Sequence, residues 1–484
     1  MSRIAAAATV ALFVFIAILA LIAAAVKFGL VSDDAVMLWA GAITAGDGKM
    51  SIDRIVAAYP TLPFLVTALF AAITPFATPA PLVVAAGLAG LLAGHWLLSF
   101  LEAGLPLAFA GLATLLLIFH PTLLHAAIGG SAEMFLAIFV YLFGTALYDL
   151  RARSGVPEVM KTGLALLGLA FSHPMGAAVA FSATPFLIYA VQPVLVARSA
   201  LNVVLVLVFP TAFAVAAFVY VSWVFPGSGW SFFAAPAESL SVWLAGMSNV
   251  GLKSWPILTG AVATAIALCV GAPLVPVAIG WIMQRRPLVA PAMVFFAAII
   301  AATVVSIGTG FFGDPAPLAI AAPILAAIVI ARVPVVRERL MIVVPLLAVG
   351  WIGGLSAIAI ADPRSMDQVV GLFESHGDRE TLDAIALGGA TIGRSGVLVD
   401  TFNAPAVVLG RGNARGLFIP SDETFSLATM FSRIDTPFVA VPDPRTITGT
   451  QDRLNRAFPQ LFADGPPGYR LAYQNESWRL FGRK

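Results

Sequence analysis

The chain has 484 residues, 60% of them apolar and only 11% charged, with a formal net charge of +2. Soluble domains carry roughly 45–50% apolar and about 25% charged residues, which excludes a wholly soluble enzyme, a disordered chain and a disulfide-stapled module. No basic stripe exists to neutralise phosphates along a duplex, so no nucleic-acid partner is expected.

The charges are unevenly spread. Residues 1–360 hold 14 Lys/Arg and 11 Asp/Glu, 25 charges in 360 positions, whereas 361–484 hold 13 and 14, 27 in 124 positions. Water cannot solvate the first part as a globule, while the second has the composition of an ordinary soluble domain. The sequence therefore predicts an all-α polytopic membrane domain over 1–360 and a small α/β soluble domain over 361–484. The single cysteine, Cys269, excludes an intrachain disulfide. Five histidines without cysteine partners give no structural zinc set.

At the N-terminus, Arg3 precedes 23 apolar positions from Ile4 to Val26. As a helix they extend about 34 Å, enough for a bilayer core of about 30 Å. This exceeds the apolar core of a cleavable signal peptide and reads as a retained signal anchor with a cytoplasmic N-terminus. Further apolar runs fall near 62–75, 82–101, 104–119, 131–149, 160–191, 200–225, 256–283, 288–308, 315–332 and 340–360. They predict 10 to 12 helices crossing or entering the membrane, with 160–191 either one kinked helix or two short ones. None alternates as barrel strands do.

Lys and Arg set the orientation. Arg151, Arg153 and Lys161 mark one cytoplasmic loop, Arg285 and Arg286 a second, and Arg332, Arg337 and Arg339 a third. The last helix then carries the tail to the external, periplasmic side of a cell (inner) membrane, and Ser32 to Tyr59 lies on that side too. Three runs between Tyr59 and Ser131 would leave their ends on opposite sides, so one run dips in without crossing. In the tail, Ser365 to His376 has helical spacing. Val397–Phe402, Ala406–Gly410 and Pro437–Val441 read as short strands. Thr448 is placed to cap a helix through Phe458, and Tyr469–Tyr473 with Ser477–Phe481 reads as a closing hairpin.

The first external loop is the richest in chemistry. Asp33 and Asp34 directly follow the first membrane helix, where a partly desolvated carboxylate can act as a base. The plain alternative is that Ser32-Asp33-Asp34 caps a short interfacial helix; a cap can also serve as a base. Glu133 is an acid in an apolar run, which makes it a functional candidate, or it lies at the interface. His173 precedes Pro174 in another apolar run and is read as either packed or substrate-binding. His120 and His125 are five apart, poor spacing for a metal pair. In the loop from Phe225 to Trp255, Trp230, Trp243 and Trp255 either stack on sugar or anchor at headgroups. Lys253 is the only cation there and a candidate for a lipid phosphate. In the tail, Gly410-Arg411-Gly412-Asn413-Ala414-Arg415-Gly416 is either a solvated turn or an anion-binding loop.

The order of these features resembles the GT-C superfamily of integral membrane glycosyltransferases, which includes protein O-mannosyltransferases and aminoarabinose transferases. Asp33-Asp34 matches the acidic pair after the first helix, and Tyr59-Pro60-Thr61-Leu62-Pro63 the entry to the second. His120-Pro121-Thr122-Leu123-Leu124-His125 through Ser131-Ala132-Glu133, and Phe171-Ser172-His173-Pro174-Met175-Gly176, resemble two further segments. The resemblance covers roughly residues 1–360. It implies a polyprenyl-phosphate sugar donor, a glycan, lipid or protein acceptor, and inverting transfer with Asp33, or Asp34, as base. Tyr59, Glu133, His173, Lys253 and Trp230 would then contact substrate. Gly310-Phe311-Phe312-Gly313-Asp314-Pro315 stands where the family often has basic residues near the donor phosphate. It offers an acid instead, so the only cofactor suggested is a divalent metal bridged by Asp314 and Asp33 or Asp34. The competing class is a polytopic transporter or lipid flippase, which would show repeated halves and acids near the midplane; neither pattern is present. A scaffold displaying its tail would need neither Asp33-Asp34 nor Glu133.

Overall fold

The computed structural model describes residues 2–27, 32–50, 55, 58–74, 79–153, 155–224, 256–283, 289–333, 339–361 and 379–484. The chain is mostly helical, with one small sheet near its C-terminus. It divides into two compact units. The first comprises Met1–Ile22, Ala57–Pro63 and Val84–Asp367; the second comprises Ala23–Val56, Phe64–Val83 and Gln368–Lys484.

Among the described residues, six helices are long and apolar enough to cross a bilayer: Arg3–Val26, Ala80–Glu102, Ser131–Ala152, Pro193–Val224, Val289–Thr309 and Leu340–Ile358. Two bent pairs qualify only together, Leu107–Ile118 with Pro121–Gly129 (59°) and Pro256–Gly271 with Leu274–Gly280 (88°). These elements are compatible with a multi-pass membrane protein. Several of the expected 10 to 12 helices are halves of bent spans or shorter apolar helices. Thr61–Ile73 has 13 residues and rises about 20 Å, short of a bilayer core of about 30 Å. Leu107–Ile118, the last of the three runs between Tyr59 and Ser131, is shorter still at 12 residues and reaches span length only together with Pro121–Gly129.

The 160–191 region breaks at His173, and its second part continues through a 3-10 turn, Thr184–Phe186, to the short helix Leu187–Ala190. Val156–Ser172 ends at His173, whose backbone is extended (φ −163, ψ 150), and Pro174 opens the helix Pro174–Ala183. A residue before proline is pushed out of the helical region, and proline suits the first helical position. Small residues let helices of this unit approach closely, as membrane packing favours. A Cβ at Gly353 would collide with the Val270 carbonyl oxygen, and one at Gly144 with Ile328 Cδ1.

The second unit is built on a five-stranded sheet in the order β2-β1-β3-β5-β4, where β1 is Val397–Leu398, β2 Leu417–Phe418, β3 Phe438–Pro442, β4 Tyr469–Gln474 and β5 Trp478–Arg483. β1 pairs in parallel with β2 and β3, and β5 pairs antiparallel with β3 and β4. Alternation along the strands gives two apolar faces. Val397, Val399, Ala440, Trp478 and Leu480 join one core with Leu387 and Val407; Leu398, Val439 and Val441 join the other with Phe425 and Leu454. The connection from β1 to β2 packs on the first face and that from β2 to β3 on the second. The parallel part is therefore doubly wound about β1, and the crevice beyond the carboxyl end of β1 is its switch point.

The loop helix Asp33–Gly46 belongs to this second unit. Val36, Ala40 and Ile43, spaced at helical intervals, enter the first core. Fully burying a Val or Ile contributes roughly 1.5–3 kcal/mol, so the helix is a structural layer of the tail.

Two readings of the tail are corrected. Ala406–Gly410, expected as a strand, lies in the helix Ala406–Arg411, which ends on Gly412 in the left-handed region (φ 77). A five-residue apolar run has no period of its own, and packing against the sheet decides it. The expected helix from Thr448 to Phe458 is two short helices, Ile447–Gln451 capped by Thr446 and Arg453–Ala457 capped by Asp452. Asp452 interrupts the run by offering its carboxylate to a new helix start. The hairpin of β4 and β5 forms as expected. Ser365 to His376 lies outside the described residues.

Candidate functional site

In the second unit, Ser32 caps the loop helix by accepting a hydrogen bond from Ala35 N at 3.2 Å. Asp33 and Asp34 are the first two residues of that helix, so the capping reading of this segment holds. Both acids belong to the helix end where backbone N–H groups favour negative charge. Asp34 is exposed. The helix stops at Asp47, followed by Gly48 in the left-handed region (φ 70).

A half-open cavity of about 170 Å³ runs along the loop helix. Met37, Ala40, Gly41 and Thr44 form one wall; Thr401 and Phe402 beyond β1, and Pro420 and Ser421 beyond β2, form the other. The Thr44 hydroxyl donates to Ala40 O and the Ser421 hydroxyl to Lys49 O. With those two hydroxyls turned to the backbone, the walls offer mainly methyl, thioether and ring surface.

The switch-point crevice holds acids that the sequence reading did not single out. Asp400, two residues past β1, is fully buried and accepts from Phe402 N, Asn403 Nδ2 and Arg453 N. Asp452 is fully buried too. Burial pushes its carboxyl up to about 7, and the Asp400 charge acts in the same direction. The available sequence signal was an aspartate closing the apolar run Val397-Leu398-Val399, the position where doubly wound sheets place functional groups.

In the first unit, the Tyr59 segment is tied to the helix that leads to His173, and Glu133 pairs with His125. The Tyr59 hydroxyl donates to Ala170 O at 3.1 Å, three residues before His173. Glu133 stands in the first turn of Ser131–Ala152, its side chain 16% exposed, with Oε2 3.9 Å from His125 Nδ1. Its charge also acts on His173. A Cβ at Gly129 would lie 3.0 Å from Glu133 Oε1, so glycine leaves room for the carboxylate. His173 is buried and caps the next helix, accepting from Met175 N at 3.0 Å. A carboxylate, two imidazoles and a phenol at the ends of apolar helices can hold a polyol by both donating and accepting hydrogen bonds.

His120 serves a different purpose. Its Nε2 lies 2.9 Å from Gly271 O and 3.0 Å from Gly350 O, and its Nδ1 2.9 Å from Thr122 Oγ1. Carbonyls only accept, so Nε2 carries the proton and Nδ1 accepts from the threonine hydroxyl.

Lys253 and Trp230, with the other tryptophans of their loop, lie outside the described residues. Asp314 spends Oδ1 on Ala316 N at the start of a short 3-10 turn. Among the described residues no three His, Cys, Asp or Glu side chains gather as metal ligands. No step of the proposed function uses a metal.

The Gly-rich basic loop of the tail does bind an anion, and the anion is internal. Asp47 Oδ2 accepts from Ala414 N at 2.7 Å and Oδ1 from Arg415 Nε at 2.9 Å. Arg411 is committed to Thr391 O and Arg394 O. Compared with known proteins, the chain matches no family model, no curated protein and no solved structure.

Proposed function

We propose that the chain is an integral membrane glycosyltransferase that moves a sugar from a polyprenyl-phosphate donor to an acceptor hydroxyl at the external membrane face. The supporting observations are that Tyr59 bonds to the helix leading to His173, and that Glu133 pairs with His125 while its charge reaches His173. Ionisable side chains set in apolar membrane helices are functional candidates by default. Arg151 and Arg153 occupy the far end of the helix that begins beside Glu133, so the positive-inside rule turns the Glu133 end outward.

In this reading the acceptor oxygen bonds to the anomeric carbon while its proton passes to the carboxylate of Asp33, or of Asp34. The bond from sugar to phosphate breaks, the anomeric centre inverts, and polyprenyl phosphate leaves. Tyr59, Glu133 and His173 hold hydroxyl groups of the substrates. The acceptor is a glycan, a lipid or a protein.

The test is transfer of labelled sugar from a polyprenyl-phosphate donor by the full chain in membranes. Changing both Asp33→Asn and Asp34→Asn should leave insertion intact and slow transfer by about 10²–10⁴-fold, the usual contribution of a general base. Transfer at the parent rate would remove the base assignment. Mass spectrometry of envelope glycans from a deletion strain should show one sugar missing. An unchanged glycome with altered solute uptake would replace this reading with a transporter or flippase.

A further inference from the structure

We infer that a charged cavity at the Asp149 end of the helical unit binds the phosphate headgroup of an anionic phospholipid, a role independent of sugar transfer. The cavity has a volume of about 260 Å³ and is lined by Asp149, Arg153, Pro157, Glu158, Lys161 and Arg332. That is far more than the ~30 Å³ one water takes in the liquid. Glu133 and Asp149 are 16 positions apart on one helix, about 24 Å along its axis, so the cavity is remote from the Tyr59–Glu133–His173 cluster.

Two basic groups that the sequence assigns to different loops come together here. Lys161 Nζ lies 2.6 Å from Asp149 Oδ2, and Arg332 Nη2 lies 2.9 Å from Asp149 Oδ1. Arg153 Nη1 lies 3.8 Å from Glu158 Oε1. Three cations face two carboxylates, an excess of one positive charge.

The layering distinguishes this cavity from a closed ion-pair network. The acids are the sheltered members, with side chains 23% (Asp149) and 13% (Glu158) exposed; Lys161 and Arg332 are each 40% exposed and Arg153 81%. An entering group therefore meets cations first. A guanidinium has five N–H donors and an ammonium three, and one from each of Lys161 and Arg332 is engaged with Asp149. The helix Val156–Ser172 also starts at the cavity, with Pro157 and Glu158 in its first turn, and its positive end adds to the attraction for an anion.

The same helix identifies the source of the phosphate. Val156, Met160 and Leu164 are 73%, 60% and 58% exposed and, spaced four apart, form one apolar stripe leading away from the cavity. A headgroup phosphate in the cavity would leave its acyl chain on that stripe. Basic pockets between membrane helices are suited to anionic headgroups for this reason.

The experiment is native mass spectrometry of the detergent-purified full chain titrated with phosphatidylglycerol, phosphatidylcholine or inorganic phosphate. Phosphatidylglycerol should be retained several-fold better than phosphatidylcholine. Arg153→Gln should lower its retention about fivefold, the effect of one lost cation near a phosphate; the side chain is exposed, so folding does not depend on it. Arg445→Gln, on an exposed tail arginine, should change nothing. Equal retention of the two lipids, or an unchanged Arg153→Gln variant, would overturn the site. Inorganic phosphate binding without phosphatidylglycerol binding would overturn the lipid assignment.

Discussion

The Asp47 carboxylate and the Arg415 guanidinium meet at 2.9 Å across 368 positions of sequence, and the Asp47 side chain is only 2% exposed. Lys49 repeats the tie just beyond, with Nζ 3.0 Å from Asp422 Oδ1. The loop that carries the acidic pair is thus held by the tail at both its apolar face and its exit. The tail therefore has a physical role, which is to fix the helix on which Asp33 and Asp34 stand.

Asp47→Ala should free that loop. The substitution strands the Ala414 N–H and removes a charge-assisted bond, a loss of about 1–3 kcal/mol. Hydrogen exchange of the full chain should show faster exchange in residues 33–48, with the β3 and β5 amides unchanged. Arg415→Ala should do less, because its side chain is 76% exposed and a solvent-screened pair is worth about 0.2–1 kcal/mol. Equal protection in all three proteins would show that the apolar face alone holds the helix.

His120→Phe should destabilise the helical unit by about 1–3 kcal/mol. The 88° bend turns Val275 N from Gly271 O to Ala272 O, and the histidine supplies the donor that Gly271 then lacks. His120→Gln keeps a donor and should recover part of the loss. Melting of the full chain in nanodiscs separates these outcomes. If the His120→Phe protein melted with the parent, the histidine would have no such structural work.

Composition and apolar periodicity made the membrane body legible, because hydrocarbon forces each long run to be a helix whatever its partners. Bends were not legible. Leu107–Ile118 and Pro121–Gly129 read as separate features because a broken span is defined by what holds its break, and His120 does so through residues 151 and 230 positions away. The Ser32 cap and the β4–β5 hairpin were readable from local chemistry. Docking of the loop helix was not, since Asp47 and Arg415 each look like an ordinary surface charge until paired. Asp400 and Asp452 were missed because a buried acid and a solvated one have the same letter.

Glu133→Gln tests the helical-unit cluster. The amide keeps the volume beside Gly129 but loses the charge that faces His125 and acts on His173. If the cluster positions substrate, sugar transfer should fall by about tenfold or more, corresponding to about 1.4 kcal/mol of lost transition-state stabilisation. The melting temperature should move little. An unchanged kcat/KM with lowered melting would make Glu133 a packing residue.

Asp452 predicts an inverted pH dependence for the tail. An aspartate in the unfolded chain titrates near 3.9, whereas burial holds the native carboxyl at about 7. The native state therefore binds this proton more tightly, and the stability it contributes is full below about 4 and declines as pH rises through 7. That difference corresponds to up to about 4 kcal/mol. Asp452 Oδ1 accepts from Asn455 N at 2.8 Å, while Oδ2 and Asn455 Oδ1 are buried without a hydrogen-bond partner among the described residues. A proton on Oδ2 relieves the burial of a charge where an acceptor also lacks a donor. Asp452→Asn retains the Oδ1 acceptor and cannot ionise, so it should match the parent near pH 4 and exceed it at pH 8. Hydrogen exchange of the β1 and β3 amides in the full chain, corrected for intrinsic rates, reads the difference directly. A parent protein better protected at pH 8 than at pH 5 would show that Asp452 is ionised in the native tail and stabilised by contacts that outweigh its burial.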